Sequence, residues 1–277
     1  MTGKIQLIFL MAICLLLSIV SFAQRNINGL IDAEKSFASF TLAHTIKEGF
    51  LKYMDSTGIV FRQGNAVNAL KVFREQKAGP GVLTWRPSFA AISASGDMGV
   101  TTGPYEFREK SIADTPVNKG IFSSIWQINQ KGEWKNLADL GIACNSVPTP
   151  VSHVEQLRLK TGEIITFGLE NVLINDHKLN EAIQHRDKEI WQLYLSSESI
   201  LNMEGNAPYK GIDQINAVLR TFPAGIVLQP LSGGIASSRD FAYVYGTISV
   251  GDKTENYLRA WIFRNGHWQV ILQTIKW

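Results

Sequence analysis

The chain has 277 residues with 27 basic and 24 acidic side chains, a formal charge of +3. Apolar residues make up 45% and charged ones 18%, which excludes a disordered chain, and no run of Lys or Arg offers a footprint for nucleic acid. Two cysteines, one of them within the first 23 residues, exclude a disulfide framework and a Cys-rich zinc module.

In chain order the first element is a leader. Lys4 precedes an apolar run from Ile5 to Val20, broken by Gln6 and Ser18, and Ser21 and Ala23 place small residues at −3 and −1 of a cleavage site before Gln24. Residues 1–23 therefore read as a signal peptide, which predicts a periplasmic or secreted protein with no membrane span after cleavage. An uncleaved anchor helix is the alternative. The mature chain keeps one cysteine, Cys144, expected to be a small buried hydrophobe.

Residues from about 28 to 54 carry a 3.6-residue pattern that predicts a long helix, with Ala33, Phe37, Phe40, His44 and Leu51 on one face. A short strand at Ile59–Phe61 and a helix over 66–76 come next, the latter stopped by Gly79-Pro80-Gly81. Alternation over 88–95, 98–107, 120–129 and 134–143 predicts four strands, with Gly96-Asp97 and Lys131-Gly132 as hairpin turns. Residues 148–169 read as a linker in which Leu157–Phe167 is expected to pair as a hairpin about Thr161-Gly162. Helices over about 172–195 and 210–220, then strands up to Trp277, repeat the plan.

The repetition extends to residues. Gly64-Asn65-Ala66 matches Gly205-Asn206-Ala207, and Ser95-Gly96-Asp97 with Gly103 matches Ser238-Arg239-Asp240 with Gly246. Trp126 with Gly132-Glu133-Trp134 matches Trp261 with Gly266-His267-Trp268. The chain is thus read as a tandem duplication, 24–147 and 170–277, and helices followed by a strand meander make each copy α+β. Trp85-Arg86-Pro87, the SASGDMGVTTG block and the FSSIWQINQKGEWKNLADLG block resemble the SnoaL-like branch of the nuclear transport factor 2 and ketosteroid isomerase superfamily. The resemblance covers the first copy throughout, while the second keeps the framework without the Trp-Arg-Pro segment. It implies two cones, each a curved, mostly antiparallel sheet wrapped around N-terminal helices, paired through their sheets as an internal pseudo-dimer in a monomeric chain. It implies no particular chemistry, since members include isomerases, cyclases, dehydratases and non-catalytic modules.

Polar residues on apolar faces are the candidates for function. At about 100° per residue His44 aligns with Phe37, and Arg186 aligns with Leu179 in the second helix, so each copy is expected to aim one polar group into its cone. Asp139, on the last strand of the first copy, is the acid to set beside His44 as an acid–base pair; the second copy has Gln273 at the matching place. Trp85, Arg86, Tyr105 and Trp126 are expected to wall the first pocket. In the second, Arg186 and Arg259 are expected to converge beside Tyr257 and Trp261 and to favour an anion unless an internal acid pairs them. His177, Glu181 and His185 have metal-like spacing but lie opposite the apolar face, so neither a metal nor any other cofactor is expected. These features predict an exported protein that binds a small, mainly apolar molecule, with an isomerase, cyclase or dehydratase in the first cone, or a non-catalytic assembly module, as alternatives.

Overall fold

The computed structural model describes residues 24–144, 153–160 and 165–277. The leader and the expected turn at Thr161-Gly162 lie outside these residues. The first half runs α1 (Ile27–Ala43), α2 (Ile46–Tyr53), β1 (Met54–Arg62), β2 (Asn65–Asn68), α3 (Ala69–Glu75), β3 (Val82–Trp85), β4 (Phe89–Ile92), β5 (Met98–Arg108), β6 (Asn118–Ile128) and β7 (Trp134–Ala143). After β8 (Glu155–Arg158) the second half runs α4 (Leu169–Gln184), α5 (Lys188–Trp191), a 3-10 turn (Gln192–Tyr194), β9 (Ile200–Met203), β10 (Tyr209–Lys210), α6 (Gly211–Leu219), β11 (Val227–Ile235), β12 (Phe241–Val250), β13 (Lys253–Arg264) and β14 (His267–Ile275).

The two sheets have one plan. The first orders its strands β2-β1-β7-β6-β5-β4-β8, with β3 also on β5, and the second orders them β10-β9-β14-β13-β12-β11. In each, the short strand after the long helices runs parallel to the last meander strand, β1 on β7 and β9 on β14. The fold class is α+β, with helices against open curved sheets. One expectation fails in the linker. Residues 155–158 pair not as one arm of a hairpin but parallel to β4, with Leu157 opposite Ala91, and so extend the first sheet.

The long helix expected over 28–54 is two helices. Thr45 breaks it: its hydroxyl accepts the Glu48 backbone N–H at 3.1 Å and donates to the Glu48 carboxylate at 2.7 Å, a side-chain N-cap that opens α2. The buried stripe of α1 is Ile27, Leu30, Glu34, Phe37 and Thr41, spaced for one helical face.

The halves pack sheet against sheet. Phe61, Phe89, Met98, Val100, Ile125 and Leu140 share one buried cluster with Ile200, Phe241, Leu258, Ile262, Ile271 and Leu272. At one end the duplicated Ser-X-Asp turns grip each other reciprocally: Asp97 accepts the Ser237 N–H at 3.2 Å and also its hydroxyl, Asp240 accepts the Ala94 N–H at 3.0 Å, and the Ser95 and Ser238 hydroxyls lie 2.8 Å apart. Residue i of one half meets residue j of the other and the reverse also holds, as a twofold interface requires. In the middle, the Asn202 amide of β9 donates to Thr102 at 3.1 Å, and the Ser123 and Thr274 hydroxyls meet at 2.6 Å.

Candidate functional site

A buried acid sits on the long helix of each half. Glu34 of α1 is fully buried and accepts from Trp85 Nε1 at 2.5 Å, Trp126 Nε1 at 2.8 Å and the Thr101 hydroxyl at 2.5 Å. Asp176 of α4, also fully buried, accepts from Tyr257 Oη at 2.6 Å, Trp261 Nε1 at 3.1 Å, Asn180 Nδ2 at 3.0 Å and Arg259 Nη1 at 2.6 Å. Trp126 and Trp261 are the duplicated tryptophans, so the two acids occupy one position of the repeat.

The strands behind these acids also correspond. In the first half Ser124 of β6 stands opposite Asp139 of β7, and the register slips between Ile125 and Trp126. In the second half Arg259 of β13 stands opposite Gln273 of β14, and the slip falls between Ala260 and Trp261. Ser124 thus corresponds to Arg259, Asp139 to Gln273, Phe122 to Tyr257 and Gly141 to Ile275. Arg259 is itself fully buried: it donates to Asp176, to Asn180 at 3.1 Å and through Nε to Gln273 at 3.1 Å, with its guanidinium 4.8 Å from the Tyr257 ring centre. Arg259 and its partners thus occupy the interior of the second cone beside the Asp176 carboxylate.

Smaller side chains at the corresponding places leave room in the first. A cavity of about 270 Å³ opens there, bounded by Phe37, Phe50, Phe73, Trp85 and Phe122, with Tyr105, Arg62 and Asp139 as polar members. Lys276, from the second half, also borders it. Burial raises the Asp139 carboxyl to about 6, although the Ser124 hydroxyl at 2.7 Å and the Arg62 charge pull the other way. Burial likewise lifts Glu34 to about 7 against its three hydrogen bonds, and the Asp139 charge adds to the rise. The Tyr105 phenol, desolvated and near the Glu204 and Asp139 acids, is pushed up to about 12 and so stays a donor. The cavity therefore offers an apolar, aromatic chamber with a carboxyl that titrates near neutrality.

Of the residues expected from the sequence, Asp139, Trp85 and Tyr105 meet at this cavity, and Trp126 is buried beside it, holding Glu34. His44 does not join them. It caps the end of α1, exposed, with Nδ1 3.0 Å from the Phe40 carbonyl oxygen and its ring stacked on Phe40 at 3.9 Å. The His44–Asp139 pair is thus corrected, because α1 ends at Ala43 and His44 is its C-cap, outside the helical backbone that the extrapolation assumed. Arg86 is exposed and borders a different hollow of about 190 Å³ between the halves, beside Pro87, Phe89, Asn202 and Pro208. Arg186 is corrected for the same reason as His44. It lies beyond the end of α4, exposed with φ at 57°, and donates to the Phe222 carbonyl at 3.1 Å, so it never meets Arg259. Tyr257, Arg259 and Trp261 do converge, but on Asp176, an internal acid that meets the Arg259 charge and removes the case for an anionic ligand in the second cone. His177 pairs with Glu181 at 3.5 Å on an exposed face.

Glu34 and Asp176 are the functional candidates that sequence reasoning missed. A signal existed: Leu30, Glu34 and Phe37 repeat the spacing of Val172, Asp176 and Leu179, an acid inside an apolar stripe at one register in both copies.

No family model matches the chain, and no curated protein matches it. Solved structures that match include some that are nuclear-transport-factor-2-like, cyclase-like or isomerase-like in name. A protein of unknown function with a cystatin-like fold from Nostoc punctiforme is 21% identical over 39% of this chain and 91% of its own, with a TM-score of 0.33. A nuclear-transport-factor-2-like protein from Cytophaga hutchinsonii is 22% identical over 39% of this chain and 97% of its own, TM-score 0.33. A putative polyketide cyclase from Sinorhizobium meliloti is 16% identical over 40% of this chain and all of its own (100%), TM-score 0.32.

Proposed function

We propose that the protein is a small-molecule-binding protein whose working site is the cavity of the first cone. The observation that carries this is the contrast between two copies of one architecture: one occupied by the Asp176–Arg259 pair, the other hollow, aromatic and holding Asp139. A space of about 270 Å³ walled by Phe37, Phe50, Phe73 and Trp85 suits a small, mainly apolar molecule whose polar end meets Asp139. The apolar leader supports a site of action outside the cytoplasm, and among the described residues no helix is long and apolar enough to cross a membrane. The inner faces of the sheets are buried on each other, which speaks against a module that offers them to a partner.

One observation favours catalysis instead. Asp139 ionises near neutrality inside the apolar chamber, the kind of carboxylate base that proton transfer next to a carbonyl requires. Turnover of a small enolisable ketone, lost in Asp139→Asn, would assign the protein to that class. The binding reading is tested by titration calorimetry with small aromatic alcohols such as 3-phenylpropanol. Saturable uptake of one molecule per chain, weakened by Trp85→Ala, is expected; no saturable uptake overturns the reading.

A further inference from the structure

The second half shows what the first half lacks. Around its helix acid it supplies a guanidinium, held by Asp176, Asn180 and Gln273 and flanked by the Tyr257 ring. In the first half the same positions carry Glu34, Ala38, Asp139 and Phe122, and Ser124 stands where the arginine would start. The helix acid and an aromatic face are kept, an acid stands in place of Gln273, and the cation between them is gone.

We infer that the first cavity takes a molecule with a cationic N–H headgroup, a guanidinium or ammonium on an apolar body, seated where the second half seats Arg259. This rests on the reading of the cavity as a ligand site. The headgroup would donate to Asp139 at the inner wall, beside Phe122, while the body lies along Phe37, Phe50 and Trp85. Two other cations border the space. Lys276 lies 3.4 Å from Glu255, and the exposed Arg62 acts on the Asp139 carboxyl through its charge without forming an ion pair with it. Glu34, behind Trp85, has no cation among its hydrogen-bond partners. An uncompensated buried acid destabilises a fold, and a ligand cation offsets that cost upon binding.

The experiment is a calorimetric titration with three probes of one skeleton, 3-phenylpropylguanidinium, 3-phenylpropanol and 3-phenylpropanoate, at pH 5 and pH 8. The guanidinium stays charged throughout, so only the protein titrates. At pH 8 it is expected to bind about tenfold or more tightly than the alcohol, the worth of a charge-assisted hydrogen bond, and the carboxylate least. Its affinity falls about tenfold at pH 5, where Asp139 and Glu34 are protonated, and that of the alcohol stays level. Asp139→Asn removes the preference for guanidinium over the alcohol. Ser124→Arg gives the first half the side chain of the second and is expected to block uptake; should that variant misfold, the pH series and Asp139→Asn decide. Alcohol or carboxylate binding as tightly as guanidinium overturns the headgroup assignment and leaves the cavity as a ligand site. Binding of none of the three overturns both.

Discussion

Arg259→Met is expected to destabilise the protein by about 3–5 kcal/mol, read from urea unfolding at neutral pH, because it leaves the Asp176 carboxylate buried without its cation. The pair is fully enclosed, and Asp176 still accepts from Tyr257, Trp261 and Asn180 in the variant, so the loss is of charge balance and not of every hydrogen bond. The double variant Asp176→Leu/Arg259→Met is expected to recover part of the loss, with a coupling energy above about 1 kcal/mol. It does not recover all, since the three donors lose their acceptor. Single and double variants of additive, small effect would show that the second cone is not held by this pair.

Asp139→Asn is expected to act in the opposite sense. Burial raises this carboxyl from 3.8 to about 6, so between these values the native state binds more protons than the unfolded chain. Stability therefore falls as pH rises through that window, and above it the ionised Asp139 costs the fold about 1–3 kcal/mol. Asparagine keeps an acceptor for the Ser124 hydroxyl and carries no charge, so the variant should melt higher than the parent at pH 8 and by a clearly smaller margin at pH 5, inside that window. A residue that weakens the fold where it is charged, yet lines a cavity, is placed there for something other than stability. Equal melting shifts at both pH values, or destabilisation at pH 8, would remove that inference.

The architecture was legible in the sequence because it is written twice. Gly103 and Gly246 show why a matched pair carries information. A Cβ at Gly103 would lie 2.1 Å from the Arg86 carbonyl oxygen and one at Gly246 2.1 Å from that of Gln229, so each copy needs glycine where the edge strand presses close. Hydrophobic periodicity likewise located the long helices and the meander. It failed where local chemistry interrupts the period: the Thr45 N-cap splits the first helix, and the projection of His44 and Arg186 into the cones continued a helix that had ended.

The site was legible only in part, for a reason of distance. Asp139, Trp85 and Tyr105 stand out by strand position and aromatic character, which are local properties. That Arg259 is neutralised by Asp176 depends on a contact across 83 residues, and no periodicity reports the partner. Glu34 is hidden because one acid in an apolar stripe reads as an exposed edge until its three donors, at sequence separations of 51, 67 and 92, are known. The contribution of Lys276 to the rim of the first cavity is a consequence of how the halves dock, which no single copy encodes.

On the proposed reading one cone is open to a ligand while the Asp176–Arg259 pair occupies the other. A crystal structure of the protein soaked in 3-phenylpropanol tests it most directly, since this neutral probe requires no charge on either partner. One molecule per chain is expected, packed among Phe37, Phe50, Trp85 and Phe122 with its hydroxyl toward Asp139, with an undisturbed Asp176–Arg259 pair in the second half. Density for the alcohol beside Arg259, or an empty first cavity at saturating probe, would contradict it.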